Sequence, residues 1–220
     1  MYSHFACKKI HSLSRREIKS IARKKRDWFP GATYHVMGRG IRRIKIFDEH
    51  EDYEIFMKLV EMTQQKYPFN LHSYCLMTNH FHMLIETIDT EIWKIMKRIL
   101  NTYSRTYNAK YGYSGHLFES RYASSIINDE TYFLEVSRYI HLNPVRAKMV
   151  RFPLDYKYSS YQNYVTEKID TRVTTEKILS CFQCNPSQQY QMFVESKITH
   201  EDYEKLIMNE MKEDEMWLPW

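Results

Sequence analysis

Residues 71–86 read LHSYCLMTNHFHMLIE, two apolar runs that are separated by the dipeptide TN. Each run has the length of a strand and the dipeptide is typical of a tight turn, so the stretch predicts a β-hairpin. Successive side chains of a strand point to opposite faces of the sheet. His80 and His82 are therefore expected on one face, and Phe81 and Met83 on the other.

The segments on either side of this hairpin alternate between strand and helix patterns. Apolar residues recur at helical spacing in three segments, while shorter apolar runs bounded by turn residues indicate strands. Acidic residues in the first turn of two of these helices support the assignment, because they interact favourably with the helix dipole. The patterns predict strands over 31–40, 71–77, 80–86 and 121–127, and helices over 48–67, 90–112 and 128–143.

The ends of two helices can also be predicted. Gly112 is expected to be the C-cap of the second helix. The third helix is expected to begin with Asn128 or Asp129 as its N-cap and to end near Pro144, because the residue before a proline is steered away from helical backbone. The element order predicts an α+β fold of the ferredoxin-like or RRM-like class, a split βαβ antiparallel sheet with helices on one face.

The chain of 220 residues divides into three parts. Residues 1–28 form a basic N-terminal arm, which is either a solvated segment or a phosphate-seeking one. Residues 29–165 hold the predicted sheet and end in a covering loop and a short helix, and residues 166–220 form a mostly helical C-terminal extension of unknown role. The net charge of +5 favours a polyanionic partner without establishing one.

Composition also bears on location. No apolar run approaches the roughly 18 residues that a membrane span needs, and the first residues lack the apolar core of a secretory signal. We therefore expect a cytoplasmic protein without a membrane partner. The motif CFQC, from Cys181 to Cys184, is a lone CxxC and favours ordinary reduced thiols over a zinc site.

The two histidines of the hairpin can share a ligand. At positions i and i+2 of a strand their side chains stand about 6–7 Å apart, close enough to reach one divalent ion. Taken alone, the pattern favours one histidine that is buried in the core with its hydrogen bonds satisfied, and one histidine at the surface. The prediction of a shared site therefore depends on what the rest of the chain supplies.

The predicted third helix supplies complementary groups. Tyr139 and Asn143 are four residues apart and lie on one helical face. Tyr139 is also near an apolar stripe, which by itself favours a place in the core. Together with His80 and His82, however, the pattern offers a phenol that can attack a phosphodiester, and an amide oxygen that makes the ligand set suitable for Mg²⁺ or Mn²⁺. The arginines that could hold phosphates in bidentate contacts are Arg105, Arg121, Arg138 and Arg146.

Five segments resemble a known family in order and spacing. They are YHVMGRG, LHSYCLMTNHFHMLIE, GHLFESRY, YIHLNPVRAKMV and DYKYSSYQNY, and the resemblance extends over roughly residues 23–165. The chain resembles the single-tyrosine HUH transposases, and among them the REP-associated tyrosine transposases. The resemblance implies that His80, His82 and Asn143 bind the metal and that Tyr139 is the nucleophile.

The resemblance also implies an activity and a DNA surface. Such enzymes cleave single-stranded DNA with hairpin or palindromic repeats, form a 5′-phosphotyrosine and later rejoin the strand, with Mg²⁺ or Mn²⁺ and without a nucleotide cofactor. Thr78 stands where the family carries a proline, which loosens the turn but touches no ligand. The resemblance favours the phosphate-seeking reading of the arm. The residues expected to contact DNA are Arg23, Lys24, Lys25, Arg26, Arg39, Arg105, Arg121, Arg138 and Arg146.

Two alternatives stay open. One is a DNA-binding regulatory protein derived from such a transposase but without turnover, which the intact set of four site residues disfavours. The other is a metal-dependent nuclease in which water attacks and Tyr139 only packs. A monomer is favoured over a homodimer.

Two further histidines lie outside the set of four site residues. His141 is expected to be structural or solvent-facing, and His35 could flank the site.

Overall fold

The protein is described here from a computed structural model that covers residues 28–168 and 170–196. Within them, four antiparallel strands form one sheet in the order β2-β3-β1-β4. The strands are β1 (Thr33–Arg39), β2 (Phe69–Leu76), β3 (His80–Thr87) and β4 (Ala123–Ile127). β2 and β3 are the predicted hairpin, and β1 lies between β3 and β4. The predicted α+β class with a split βαβ sheet is confirmed.

Three long helices complete the plan that the sequence predicts. They are α1 (His50–Lys66), α2 (Ile92–Tyr111) and α3 (Glu130–Arg146). Gly112 ends α2 in the left-handed conformation, with φ of 61°, and its N–H donates to the carbonyl of Asn108. Asp129 caps α3, because its carboxylate accepts from the backbone N–H of Tyr132 at 2.8 Å. Both predicted caps are confirmed.

The helix α3 ends two residues beyond Pro144, near the predicted place, but the proline does not stop it. The helix continues to Arg146, and Pro144 is buried inside its last turn. A proline this close to the end of a helix removes one hydrogen bond, the one to the carbonyl of Ile140, while its ring still packs. The turn after it is closed by the N–H of Ala147, which donates to the carbonyl of Asn143 at 2.9 Å. The ring therefore remains within the helix and does not end it.

The sheet is the middle layer between two apolar cores. The side chains of Phe81 and Met83 lie in the first core, together with the apolar faces of α1 and α2. Leu84 lies in the second core, on the opposite face, where α3 packs across β2 and β3. The prediction of helices on one face holds for the two crossover helices only. The third helix covers the other face, so the strands β2 and β3 are buried on both sides.

The chain after α3 returns to the sheet. Three short helices follow, α4 (Gln162–Val165), α5 (Glu176–Leu179) and α6 (Pro186–Glu195), with irregular segments between them. Three apolar side chains from α5 and α6 are fully buried in the second core: Ile178, Tyr190 and Val194. The described part of the extension is therefore packed against α3 and the sheet.

Two segments of this returning chain pair with the outer edge of β2. The N–H of Leu76 donates to the carbonyl of Tyr158 at 2.9 Å, and the N–H of Ser160 donates to the carbonyl of Tyr74 at 3.0 Å. Farther along, the N–H of Thr174 donates to the carbonyl of Leu71 at 2.9 Å. These bonds form two isolated bridges, one antiparallel and one parallel, along the edge of the sheet.

The carboxylate of Glu86 is a pH-sensitive link between the sheet and the extension. It accepts from Nε2 of His72 at 2.9 Å and from Nζ of Lys177, on α5, at 2.6 Å. The hydrogen bond from His72 is the main cause that lowers the pKa of Glu86 from 4.5 to about 2; burial opposes it, and Lys177 adds to it. The ionised carboxylate therefore stabilises the folded state.

We expect this contribution to be lost in acid. A carboxyl whose pKa is lower in the folded state stabilises the protein above its unfolded pKa, and the stabilisation disappears as the pH falls through the folded value. Wild type should unfold at a higher temperature than Glu86→Gln at neutral pH, and the difference should shrink as the pH falls from 4.5 to about 2. Thermal unfolding followed by circular dichroism measures both. A difference that stays constant across this window would contradict the assignment.

Candidate active site

The two histidines of β3 lie on the face that α3 covers. His82 is 2% exposed, while His80, at the start of the strand, is partly exposed. Their rings are 5.2 Å apart between centroids. The turn before them is held in place because the N–H groups of Ile46 and Phe47 both donate to the carbonyl of Thr78. The strand therefore presents a fixed pair of imidazoles at its beginning.

Tyr139 meets this pair from the facing helix. Its ring centroid is 5.4 Å from that of His82, with the two planes nearly perpendicular. Asn143, one turn farther along α3, is almost buried. The sequence predicted that both histidines face the Tyr139–Asn143 side of the third helix, while Phe81 faces the opposite core. The structure bears this out for two residues: the ring of His82 contacts that of Tyr139, and Phe81 lies in the opposite core.

Both histidines are neutral at physiological pH. Burial lowers the pKa of His80 to about 4, and the nearby charge of Arg39 lowers it further. Burial lowers the pKa of His82 well below 6.5, with smaller contributions from the neighbouring His35 and His80. The neutral imidazole, with a free lone pair, is the form that binds a metal ion. The burial that makes these side chains costly to protonate therefore also prepares them as ligands.

A neighbouring amide orients His80. The ring Nδ1 of His80 lies 2.7 Å from Oδ1 of Asn79, whose Nδ2 donates to the carbonyl of Arg43 at 3.3 Å. Because the amide oxygen can only accept, Nδ1 of His80 carries the proton and Nε2 has the lone pair. Outer contacts of this kind fix the orientation of a metal-binding histidine.

Asn143 carries an amide oxygen one turn along α3 from Tyr139. Its Nδ2 donates to the carbonyl of Tyr139 at 2.9 Å, which directs its Oδ1 away from the helix backbone. Among the described residues, no cluster of three or more His, Cys, Asp or Glu side chains is arranged to hold a metal. An ion bound by His80 and His82 would take any third protein ligand from another residue type, and the amide of Asn143 is a candidate. Two neutral imidazoles and one amide oxygen fit a divalent ion such as Mg²⁺ or Mn²⁺.

The sequence placed His35 only as a residue that could flank the site, and the structure gives it a direct contact. It is buried on β1, and its Nε2 lies 3.0 Å from Nδ1 of His82. The two rings are stacked, with centroids 5.2 Å apart, and the ring of Tyr139 is 5.9 Å away. Burial lowers the pKa of His35 to about 4. Antiparallel pairing of β1 with β3 is the signal that could have placed this side chain beside His82.

Two of the predicted arginines lie at the site. The guanidinium of Arg146 is over the ring of Tyr139, at 5.1 Å from its centroid. Arg39 is directly opposite His80 in the pairing of β1 with β3, and it makes an ion pair with Glu119 at 2.9 Å. A positive charge beside the phenol and another beside the imidazoles give the site a cationic rim that suits a phosphate group.

The other residues that were predicted to contact DNA differ in how exposed they are. Arg105 and Arg121 are exposed, so they can meet DNA from outside the site. Arg138 is 4% exposed, pairs with Glu135 and donates to the carbonyl of Phe193. The prediction that Arg138 contacts DNA is wrong, because it lies one residue before Tyr139 and so points to another face of α3, against α6. The positions outside the described residues are Arg23, Lys24, Lys25 and Arg26.

His141 takes no part in the site. It is fully buried, and its two ring nitrogens lie 2.8 Å from the hydroxyls of Tyr190 and Ser160. Burial lowers its pKa to about 3. The prediction that His141 is structural or solvent-facing is thus confirmed, and the role is structural.

The cysteines of the CFQC motif, Cys181 and Cys184, are both exposed free thiols. No helix in the described parts of the chain is long and apolar enough to cross a bilayer.

Comparison of the chain with known structures supports the fold. The REP-associated tyrosine transposase bound to a REP hairpin matches with a TM-score of 0.57 at 15% identity, over 70% of this chain and 94% of that one. Two weaker matches both have a TM-score of 0.39. One is a candidate transposase from Deinococcus radiodurans, with 16% identity over 54% of this chain and 95% of that one. The other is tRNA(His) guanylyltransferase from Saccharomyces cerevisiae, with 8% identity over 87% and 82%.

Comparison at the level of sequence gives the family. No curated protein matches the chain. The family model described as "Transposase IS200 like" matches residues 29–143, just over half of the chain. This range contains β1 to β4 and ends at Asn143, so it includes both histidines and the tyrosine of the site. The chain therefore belongs to the family of IS200-like transposases.

Proposed function

We propose that this protein cleaves and rejoins single-stranded DNA at hairpin-forming repeats, through a covalent bond between Tyr139 and a 5′-phosphate. One observation carries the proposal. The ring of Tyr139 lies against that of His82, and Asn143 stands one turn away on the same helix. A phenol beside three candidate ligands is what a transesterification at phosphorus needs.

The chain's own groups have distinct roles in this reaction. The Oη of Tyr139 gives up its proton and attacks the scissile phosphorus, the P–O3′ bond breaks, and the leaving oxygen takes up a proton to become a free 3′-hydroxyl. Arg146, over the Tyr139 ring, offers its charge to the phosphate. A divalent ion held by His80, His82 and Asn143 would polarise a phosphate oxygen when bound.

The reverse reaction explains why no nucleotide cofactor is proposed. The phosphotyrosine keeps the energy of the broken phosphodiester, so a 3′-hydroxyl can attack it, rejoin the strand and release Tyr139. The site needs only to bind a second strand end in the position that the first one left. Both directions therefore use the same residues.

We also propose that the protein belongs to the REP-associated branch, that it binds hairpin DNA, and that it acts as a monomer. The fold likeness spans 94% of the REP-associated enzyme, which was bound to a REP hairpin. Tyr139 and His82 contact each other within one chain, so a partner subunit is not needed to complete the site. Exposed Arg105 and Arg121 remain candidates for contact with the DNA backbone.

The test uses a single-stranded oligonucleotide that contains a palindromic repeat from the genome that encodes this chain. It is labelled in turn at each end and incubated with Mn²⁺, with Mg²⁺, or with EDTA. A 5′-phosphotyrosine requires that the 3′-labelled fragment migrates with the protein in SDS, while the 5′-labelled fragment is released with a free 3′-hydroxyl. EDTA should prevent both.

A matched control oligonucleotide has the same composition but cannot form the hairpin, and we expect no adduct with it. The outcome that contradicts the proposal is also specific. Cleavage without an adduct would indicate a nuclease that uses water, and tight binding without cleavage in either metal would indicate a regulatory protein. Each result leaves the fold unchanged but replaces the mechanism.

A further inference from the structure

The contact between His35 and His82 joins two buried rings on neighbouring strands. Their closest nitrogens, Nε2 of His35 and Nδ1 of His82, are 3.0 Å apart. His35 is 5% exposed and His82 is 2% exposed, so water has little access to either nitrogen. Two neutral imidazoles at this distance share one proton, which one nitrogen donates and the other accepts. The pair therefore has two possible arrangements.

These arrangements differ in what they leave free. When Nδ1 of His82 donates, Nε2 of His82 has a lone pair that can bind a metal. When Nε2 of His35 donates, Nδ1 of His82 accepts, so the proton of the neutral His82 ring is on Nε2 and blocks that lone pair. The tautomer of His82 thus depends on which way the hydrogen bond to His35 runs.

On this basis we infer that His35 is a positioning residue that accepts the proton of His82 Nδ1 and so keeps His82 Nε2 free to bind the divalent ion. The inference rests on the proposed function, because it assumes His82 as a ligand. His80 has the corresponding support from Asn79, at 2.7 Å. Each of the two histidines would then be held by its own acceptor.

The backbone gives His35 the rigidity that such a role needs. β1 is a central strand, and His35 pairs with Leu84 of β3 on one side and with Ser125 of β4 on the other. The stacking of the two rings, 22° from parallel, restricts the tilt of His82. His35 also contacts the ring of Tyr139 edge-on, so it touches both the ligand and the nucleophile.

The test separates an acceptor from a space-filling ring. In His35→Gln the amide oxygen can reach about the position of Nε2 and accept from His82, whereas His35→Leu fills the space without an acceptor. We expect His35→Leu to weaken Mn²⁺ binding by about 10–100-fold, and His35→Gln to stay within about threefold of wild type. Calorimetric titration of the DNA-free protein with Mn²⁺ measures both, and the rate of adduct formation should follow the same order.

Two further variants keep the result interpretable. His35→Asn carries the same amide on a side chain one bond shorter, so it should bind Mn²⁺ as weakly as His35→Leu. His116→Leu makes the same replacement at an exposed histidine and should bind as wild type does. Circular dichroism should show all four variants folded; if His35→Leu is unfolded, the comparison of His35→Gln with His35→Asn carries the test.

Failure of the inference about His35 can be distinguished from failure of the proposed function. If folded His35→Leu and His35→Asn bind Mn²⁺ as tightly as wild type, while wild type still forms the adduct, the inference about His35 is overturned and the proposed function stands. If wild type neither binds Mn²⁺ nor forms an adduct, both are overturned. Equal loss in His35→Gln and His35→Leu would also overturn the acceptor role, because it would show that only the imidazole shape matters.

Discussion

Replacement of Tyr139 by phenylalanine is expected to abolish the covalent adduct while leaving the binding of hairpin DNA within about threefold of wild type. The substitution removes one hydroxyl and keeps the ring that contacts His82 and lies under Arg146. Loss of a nucleophile commonly costs on the order of 10⁴-fold or more in rate, since no other group of the chain replaces the bond it forms. SDS gels measure the loss of the adduct, and fluorescence anisotropy measures the binding of hairpin DNA.

The control is another tyrosine. Tyr113 follows α2 and is exposed, so Tyr113→Phe should form the adduct as wild type does. An adduct that persists in Tyr139→Phe would assign the nucleophile to a different residue. Cleavage that persists without an adduct would show that water attacks, and Tyr139 would then be only a packing residue between the sheet and α3.

The second large effect is expected far from the chemistry, at Tyr190. Its ring is fully buried in the second core, and its hydroxyl meets the hydroxyl of Ser137 and, at 2.8 Å, Nδ1 of His141. We expect Tyr190→Ala to lower the free energy of unfolding by about 3–5 kcal/mol, because it leaves a cavity where a large ring was. Urea denaturation of the full chain measures this loss.

Smaller substitutions on the same helix distinguish the contribution of the Tyr190 ring to stability from that of its hydroxyl. Tyr190→Phe should lose about 1–3 kcal/mol, since it leaves buried partners on α3 without their hydrogen bond. Met192→Ala is the matched control: it lies on α6 two residues away and is 67% exposed, so its effect should be small. Equal stability of Tyr190→Ala and Met192→Ala would show that α6 does not contribute to the core in solution.

These results would bear on α3 as well, the helix that carries the proposed nucleophile. Ser137 and His141 lie on α3, on either side of Tyr139, and both bond to Tyr190. On the side of the sheet, the hydroxyl of Ser73 lies 3.0 Å from that of Ser137. A chain of buried hydroxyls and one imidazole therefore fixes α3 between β2 and α6. The extension therefore contributes to the position of Tyr139.

Much of this architecture could be predicted because it depends on local periodicity. Alternation in LHSYCLMTNHFHMLIE placed His82 and Phe81 on opposite faces, and the four-residue spacing placed Tyr139 and Asn143 together. Gly112 and Asp129 mark helix ends through their own backbone and side-chain chemistry. These features are contained within a few neighbouring residues.

The features that could not be predicted depend on distant packing. The helix passes through Pro144, and its buried ring packs inside the last turn although one backbone hydrogen bond is lost. Arg138 looked like a phosphate contact, but it is covered by α6, more than 50 residues away in sequence. The place of Tyr190 in the second core has no local signal, since a tyrosine on a short helix is equally typical of a surface.

The covered edge of β2 has a consequence for how copies of this protein meet. An open edge strand offers its backbone donors and acceptors to any other extended chain, and proteins protect such edges against aggregation. Here Tyr158 and Ser160 take up one stretch of the edge, and Val173 and Thr174 take up another. A chain truncated after α3 would expose this strand, so we expect it to associate edge to edge. The returning segments thus protect this edge of the sheet against pairing with another chain.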